Sequence, residues 1–165
     1  MKESIESVYC YYFHDVYYYL LSLCRNHHTA EDLVQETFLR AYLHVDAGRS
    51  GSIKSWLYAT AYHAYIDYYR KQKRSEIKNE SFFAKIFSRS HSPEDEVVLL
   101  DELRHLFDML NGLPENQKHA ILLHDVHQLS YKEAADVMNV SLANFKVILH
   151  RGRQAIRKKR RLTDD

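Results

Sequence analysis

Long stretches without a helix breaker constrain this chain most. Four glycines and two prolines are spread over 165 residues. Tight-turned β architectures need many more such residues, so the pattern favours helices. Apolar residues recur at three- and four-residue steps to match. Ile5 to Leu23 reads as a first helix. Thr29, with Asp32 three positions on, resembles a capped start for a second helix running to about Val45, with Ala30, Leu33, Thr37, Ala41 and Val45 on its inner face. The loop DAGRSG, 46–51, precedes Ser52, which opens a third helix to about Lys73. Its apolar stripe is Ile53, Trp56, Leu57, Ala61, Ala64 and Tyr68.

Periodicity is lost over 75–93, a serine-containing stretch that reads as a linker. Its Phe82, Phe83, Ile86 and Phe87 make it too apolar for a passive tether. Ser92-Pro93-Glu94-Asp95 starts another helix, to about Asn111. Gly112 ends that helix, and Pro114 opens the next, to about His127. Ser130 with Glu133 forms a capping box for a short helix, 131–138. Asn139-Val140 is a turn, and Ser141 caps a final helix of about 17 residues that ends in the basic run Arg157 to Arg161. The expected fold is all-α: two small helical domains, 1–74 and 94–165, joined by the linker 75–93.

With 45% apolar and 27% charged residues, the composition is that of a globular protein. Cys10 and Cys24 cannot build a disulfide scaffold and read as reduced, half-buried thiols. No run approaches the roughly 20 apolar residues of a membrane span, and MKESIESVYC does not resemble a signal peptide, so a cytoplasmic protein is expected.

The net charge of +1 conceals alternating blocks. Residues 1–46 sum to −4, 47–90 to +6, 91–141 to −7 and 142–165 to +6. Two separate basic patches suit a polyanion gripped at two places.

The segment from Ser130 to about Arg153 is the most informative. A short capped helix, a tight turn and a longer capped helix make a helix-turn-helix. Ala134 and Ala135 are small where the two helices approach, and Val137 and Met138 anchor the first of them. Leu142, Phe145, Leu149, Gly152 and Ile156 form an inward stripe on the second. The opposite side carries Lys146, His150, Arg151, Arg153, Gln154 and Arg157, a cationic front suited to the DNA major groove.

From here the chain resembles the extracytoplasmic-function (ECF) group of the sigma-70 family. The resemblance is carried by AEDLVQETFLRAY (30–42) with SIKSWLYATAYHAYIDYYRKQKR (52–74), and by LPENQKHAILLHDVHQLSYKEAADVMNVSLANFKVILHRGRQAIRK (113–158). It implies an alternative sigma factor that binds core RNA polymerase and directs promoter-specific initiation. Its partners would be the β′ clamp helices, the β flap, promoter DNA and an anti-sigma factor, possibly membrane-anchored, in a stress response.

By the same resemblance, Asp32, Gln35, Glu36, Leu39 and Arg40 would dock on the polymerase clamp. Tyr58, Tyr62, His63, Arg70, Lys71 and Lys73 would meet the minus-10 element, with Tyr65 and Tyr69 adding aromatic faces. Stacking of an unpaired base on an aromatic ring is worth about 1–3 kcal/mol. The loop from Asp46 to Ser52 would help to hold a flipped base. Ser141, Lys146, Val147, His150, Arg151, Arg153 and Arg157 would meet the minus-35 element. Two positions depart from the family pattern. His63 stands where asparagine is usual, and Val147 where a small hydroxyl residue is common; a valine suits a thymine methyl.

Two other classes compete. A non-sigma regulator with this motif would bind its operator without polymerase. An enzyme would need a constellation that is missing here: there is no phosphate-cradling glycine loop, nucleophile elbow or paired catalytic carboxylates. His124 and His127, three apart, could share a helix face, but surface histidines are the better reading. No catalysis, cofactor or metal is expected.

Overall fold

The computed structural model describes residues 4–43, 52–78 and 101–164. Among these, seven α-helices and one π-helical turn make up the fold, without strands. They are α1 (Ile5–Cys24), α2 (His27–Leu43), α3 (Ile53–Lys78), α4 (Asp101–Leu110), α5 (Glu115–Ile121), the π-turn (Leu122–Val126), α6 (Tyr131–Met138) and α7 (Leu142–Asp164). The loop 46–51, the segment 79–93 and the helix start at Ser92 to Asp95 lie outside the described residues.

Local side-chain chemistry sets the helix starts. Ser4 accepts from the Ser7 N–H at 3.2 Å, and Ser52 from the Ser55 N–H at 3.1 Å. The cap of α2 differs from the sequence reading. Asn26 accepts from the Thr29 N–H at 3.0 Å, so α2 begins at His27 and Thr29 lies inside it. The Asn26 amide satisfies an orphan N–H with a cap three residues earlier than Thr29 would. Arg25 turns the chain between α1 and α2 in the left-handed region, φ 53°. Gly112, φ 84°, does the same after α4, where a side chain would be strained.

α1, α2 and α3 pack on one another around Val16, Leu20, Leu33, Val34, Phe38, Leu57 and Ala61. The α2 stripe is inward as expected at Ala30, Leu33, Thr37 and Ala41, which are buried, while Val45 lies outside the described residues. Thr37 is tolerated there because its hydroxyl donates to the Leu33 carbonyl at 2.7 Å. α3 runs to Lys78, so the first residues of the expected linker continue its helix.

The second bundle packs α5, the π-turn and α6 against one another and α5 and α6 against α7, over Leu110, Leu122, Leu123, Leu129, Phe145 and Leu149. The expected single helix to His127 changes pitch at Leu122. The His127 N–H reaches the Leu122 carbonyl at 2.9 Å, five residues back. In an unbroken α-helix, residues eight apart are offset by roughly 80°. The wider turn takes up part of that angle and brings His127 towards the face that carries His119.

The two bundles touch. α3 packs on α6, and α1 on α4. Ser52 Oγ donates to Glu133 Oε2 at 2.8 Å, and Arg25 Nη2 donates to the Phe107 carbonyl at 3.1 Å. Tyr19, Tyr58, Tyr65 and His119 are buried between them.

Candidate nucleic-acid interface

The helix-turn-helix is built as its sequence demands. The Ser130 hydroxyl accepts from the Glu133 N–H at 3.0 Å, and the Glu133 carboxylate accepts from the Ser130 N–H at 3.3 Å. Asn139, φ 55°, closes α6 in the left-handed region that asparagine tolerates. Ser141 then caps α7 through the Asn144 N–H at 3.1 Å. Burial opposes ionisation of Glu133, but hydrogen bonds from Ser52 and Ser130 and the nearby Lys54 hold its carboxyl below the usual range.

α7 buries Phe145, Ile148, Leu149 and Gly152. Two details of the expected stripe change. Leu142, the first residue of α7, is 44% exposed, and Ile148, outside the expected stripe, is buried. Gly152 is where α7 meets α5: a methyl group there would stand 2.8 Å from Ile121 Cδ1 and 3.3 Å from Gln117 Cβ.

The opposite side of α7 is bare. Ser141, Lys146, Val147, His150, Arg151 and Arg157 are all exposed. Val147, at 45%, offers an apolar contact between charged neighbours. Lys146 Nζ rests 5.6 Å from the centre of the Tyr131 ring, which also stacks on His124. Arg153 departs from expectation. It makes a two-pronged pair with Asp125, Nε to Oδ2 at 3.0 Å, so its charge is offset within the protein.

On α3 the cationic end is bare as well: Arg70, Lys71, Lys73 and Arg74 are exposed, and Lys73 lies over the Tyr69 ring at 4.8 Å. His63 is exposed on the same helix, edge-on to Tyr62. Tyr58 and Tyr65 depart from the expected role. Tyr58 is wholly buried and Tyr65 is 3% exposed, because both face the second domain. Tyr58 Oη is 2.8 Å from His127 Nδ1, and Tyr65 donates to Glu115 at 3.4 Å. Tyr62 is half-buried, with its ring 4.8 Å from that of His119. While the domains are packed, neither Tyr58 nor Tyr65 has a free face for a base.

On α2, Asp32, Gln35, Glu36 and Leu39 are exposed, Leu39 at 59%. Arg40 pairs with Glu36 at 2.6 Å and reaches Asp67 of α3 at 3.4 Å. Asp32, Glu36, Arg40, Asp67 and Lys71 line one groove between α2 and α3. Tyr42 and Leu43 extend the exposed apolar surface beyond Leu39. The sequence reading missed them, although both follow Leu39 in the motif-bearing helix.

Among the described residues, no group of three or more His, Cys, Asp or Glu gathers as a metal site would. No helix there is long and apolar enough to cross a membrane. Cys10 is exposed rather than half-buried, because it points off α1 into solvent; Cys24 is half-buried, and burial pushes its thiol up to about 11.

Comparison with known proteins agrees with this arrangement. Residues 8–75 match sigma-70 region 2, and residues 103–156 match sigma-70 region 4. The chain is 38% identical to the ECF RNA polymerase sigma factor SigM of Bacillus subtilis over 155 residues, 93% of each chain. It is 30% identical to SigW of the same organism, over 88% of this chain and 83% of that one. The fold is shared with the sigma factor RpoE of Bartonella quintana, solved with the anti-sigma factor NepR: TM-score 0.74, 23% identity, 93% of this chain and 94% of that one. It is also shared with CnrH, solved with the cytosolic domain of CnrY: TM-score 0.70, 18% identity, 98% and 88% coverage. The capped helix-turn-helix, the cationic α3, one family match on each bundle and a relative aligned across both place the chain in the ECF group of the sigma-70 family of RNA polymerase sigma factors.

Proposed function

We propose that the chain directs core RNA polymerase to promoters by a two-point grip on DNA, with α2 as its polymerase dock. An ECF sigma factor serves promoter-specific transcription initiation. The observation that carries the division of labour is α7, whose apolar back is sealed while Lys146, Val147, His150 and Arg151 stand bare beyond the turn. These four read the minus-35 element from the major groove. Ser141 and Arg157 hold the backbone on either side, and Arg153 acts mainly as the brace to Asp125.

The minus-10 element falls to α3. Arg70, Lys71 and Lys73 draw in phosphate, and His63 and Tyr62 border the bases. Asp32, Gln35, Glu36, Leu39 and Arg40 dock on the β′ clamp helices, where mixed acidic and apolar groups suit protein rather than nucleic acid. The second domain, 94–165, also meets the β flap, and 75–93 joins it to the first, 1–74. Tethering two weak contacts raises their joint affinity through effective concentration. An anti-sigma factor controls the chain in the cytoplasm, as the NepR partner of the Bartonella quintana neighbour suggests. The chain itself catalyses nothing.

Selection of promoters from a random DNA pool tests this reading. With core enzyme present, the expected yield is a two-part sequence at fixed spacing. Selection of the same sequence by the pure chain, without core enzyme, would favour a simple regulator instead.

A further inference from the structure

Two histidines that promoter recognition does not use occupy the contact between the domains. His119 of α5 is 1% exposed. Its Nδ1 lies 3.3 Å from Tyr19 Oη of α1, and the rings of Tyr62 and Tyr65 of α3 stand 4.8 and 5.5 Å away. His127, at the end of the π-turn, meets Tyr58 of α3 through Nδ1 at 2.8 Å and lies edge-on to Tyr19 at 5.6 Å. Both imidazoles come from the second domain, and their tyrosine partners all come from the first.

Among the described residues, each ring is served at one nitrogen only. The Nε2 atoms of both are buried without a hydrogen-bond partner. A neutral imidazole tolerates that. An imidazolium needs an acceptor at both nitrogens, and an unmet buried charge is far costlier than an unmet buried dipole.

We propose that this contact is a proton-released latch: His119 and His127 hold the two domains together while neutral, and protonation drives the domains apart. Among the described residues, the carboxylate within ion-pair range of His119 is 40% exposed and already shared. Glu115 is 3.7 Å from His119 Nε2, but it already accepts from Lys118 and from Tyr65, each at 3.4 Å. Around His119, α1 and α3 present tyrosine hydroxyls, which burial keeps protonated, and the cationic Arg70 lies beyond Tyr62. Facing His127, α3 brings Lys54, a like charge, while Asp15 of α1 acts on Tyr58. Glu133 of α6 is engaged by Ser52 and Ser130, and Asp125 by Arg153.

Burial, with Lys118 beside His119 and Lys54 beside His127, pushes both imidazoles from 6.5 to about 4. The open form, with the rings in water, therefore binds protons more readily. Stability of the closed form is complete above about pH 6.5 and is lost as pH falls towards 4. At pH 5.5, each histidine shifts the equilibrium towards opening by about tenfold, and the pair by about a hundredfold. Opening frees Tyr58 and Tyr65 of α3. The consequence for initiation rests on the proposed function, whereas the opening itself does not.

Small-angle X-ray scattering of the full chain between pH 7.5 and 5.5, with circular dichroism on the same samples, tests the latch. The expected result is a chain compact at pH 7.5 whose radius of gyration rises on acidification at constant helicity. H119Q/H127Q, which keeps a hydrogen-bonding group but no titration, is expected to lose that response. Each single variant is expected to keep about one tenfold step of it. A wild-type chain that stays compact at pH 5.5, or that expands only with loss of helix, overturns the proposal. So does a single variant that keeps the whole response.

Discussion

Gly152→Val gives the most direct stability test of the second domain. α7 and α5 approach so closely at Gly152 that an added Cβ would sit 2.8 Å from Ile121 Cδ1. Ordinary carbon contacts are about 3.5–4.0 Å, so the methyl intrudes by about 1 Å. Ile121 Cδ1 is a side-chain tip and can move. Ile121 Cγ1 and Gln117 Cβ, both 3.3 Å away, are anchored closer to the backbone. Valine adds two further methyl groups against the same wall. Overpacking of this kind costs about 1–3 kcal/mol, and the crowding here argues for the upper end. Valine recovers only about 0.3 kcal/mol of helix propensity over glycine. The net loss is about 2 kcal/mol or more. For a chain of this size, each kcal/mol lowers Tm by about 2–4 °C, so a fall of about 4–8 °C is expected in a thermal melt followed by circular dichroism. Ala143→Val, on the exposed side of α7, serves as the control and costs about 0.5 kcal/mol. A Gly152→Val chain that melts within a degree or two of the parent would refute the close packing of α5 on α7.

Lys146→Ala and Arg151→Ala should separate phosphate from base contacts: in holoenzyme binding to a promoter, each lost phosphate contact flattens the log–log salt dependence by about 0.9, whereas loss of a base contact relaxes sequence preference at one position. An unchanged slope and preference in both would remove α7 from the interface. Ser130→Ala should cost about 1 kcal/mol in urea unfolding by opening the capping box; a loss below a few tenths would show the cap to be idle. Because hydrogen bonds hold the Glu133 carboxyl below 4.5, its contribution to stability is present above that pH and fades as pH falls through its depressed value, so Glu133→Gln should flatten the acid limb of the stability curve; an unchanged limb contradicts the assignment.

Much of this molecule is legible in its sequence because short-range chemistry writes it there. The Ser130–Glu133 box and the Ser141 cap depend on neighbours a few residues apart. The inner face of α2 follows from spacing alone. What escaped depends on long-range packing. Tyr58 and Tyr65 look like stacking platforms on an isolated helix, and only the second domain, folded against α3, turns them into core. Arg153 reads as part of the DNA-facing front until Asp125 is brought to it from 28 residues away. The π-turn carries no breaker to announce it, since one extra residue in the turn changes the pitch without changing composition. His127 reads as a surface histidine because periodicity cannot register a face that a second domain covers.

The central claim is that two cationic helical surfaces act together on one promoter when core polymerase holds them. Run-off transcription from a selected promoter, with purified core enzyme and the full chain, tests it most directly. The account predicts a defined transcript that needs the chain, and that is lost both with Lys146→Ala/Arg151→Ala and with Arg70→Ala/Lys71→Ala. Equal transcript from either double variant and the parent would contradict it.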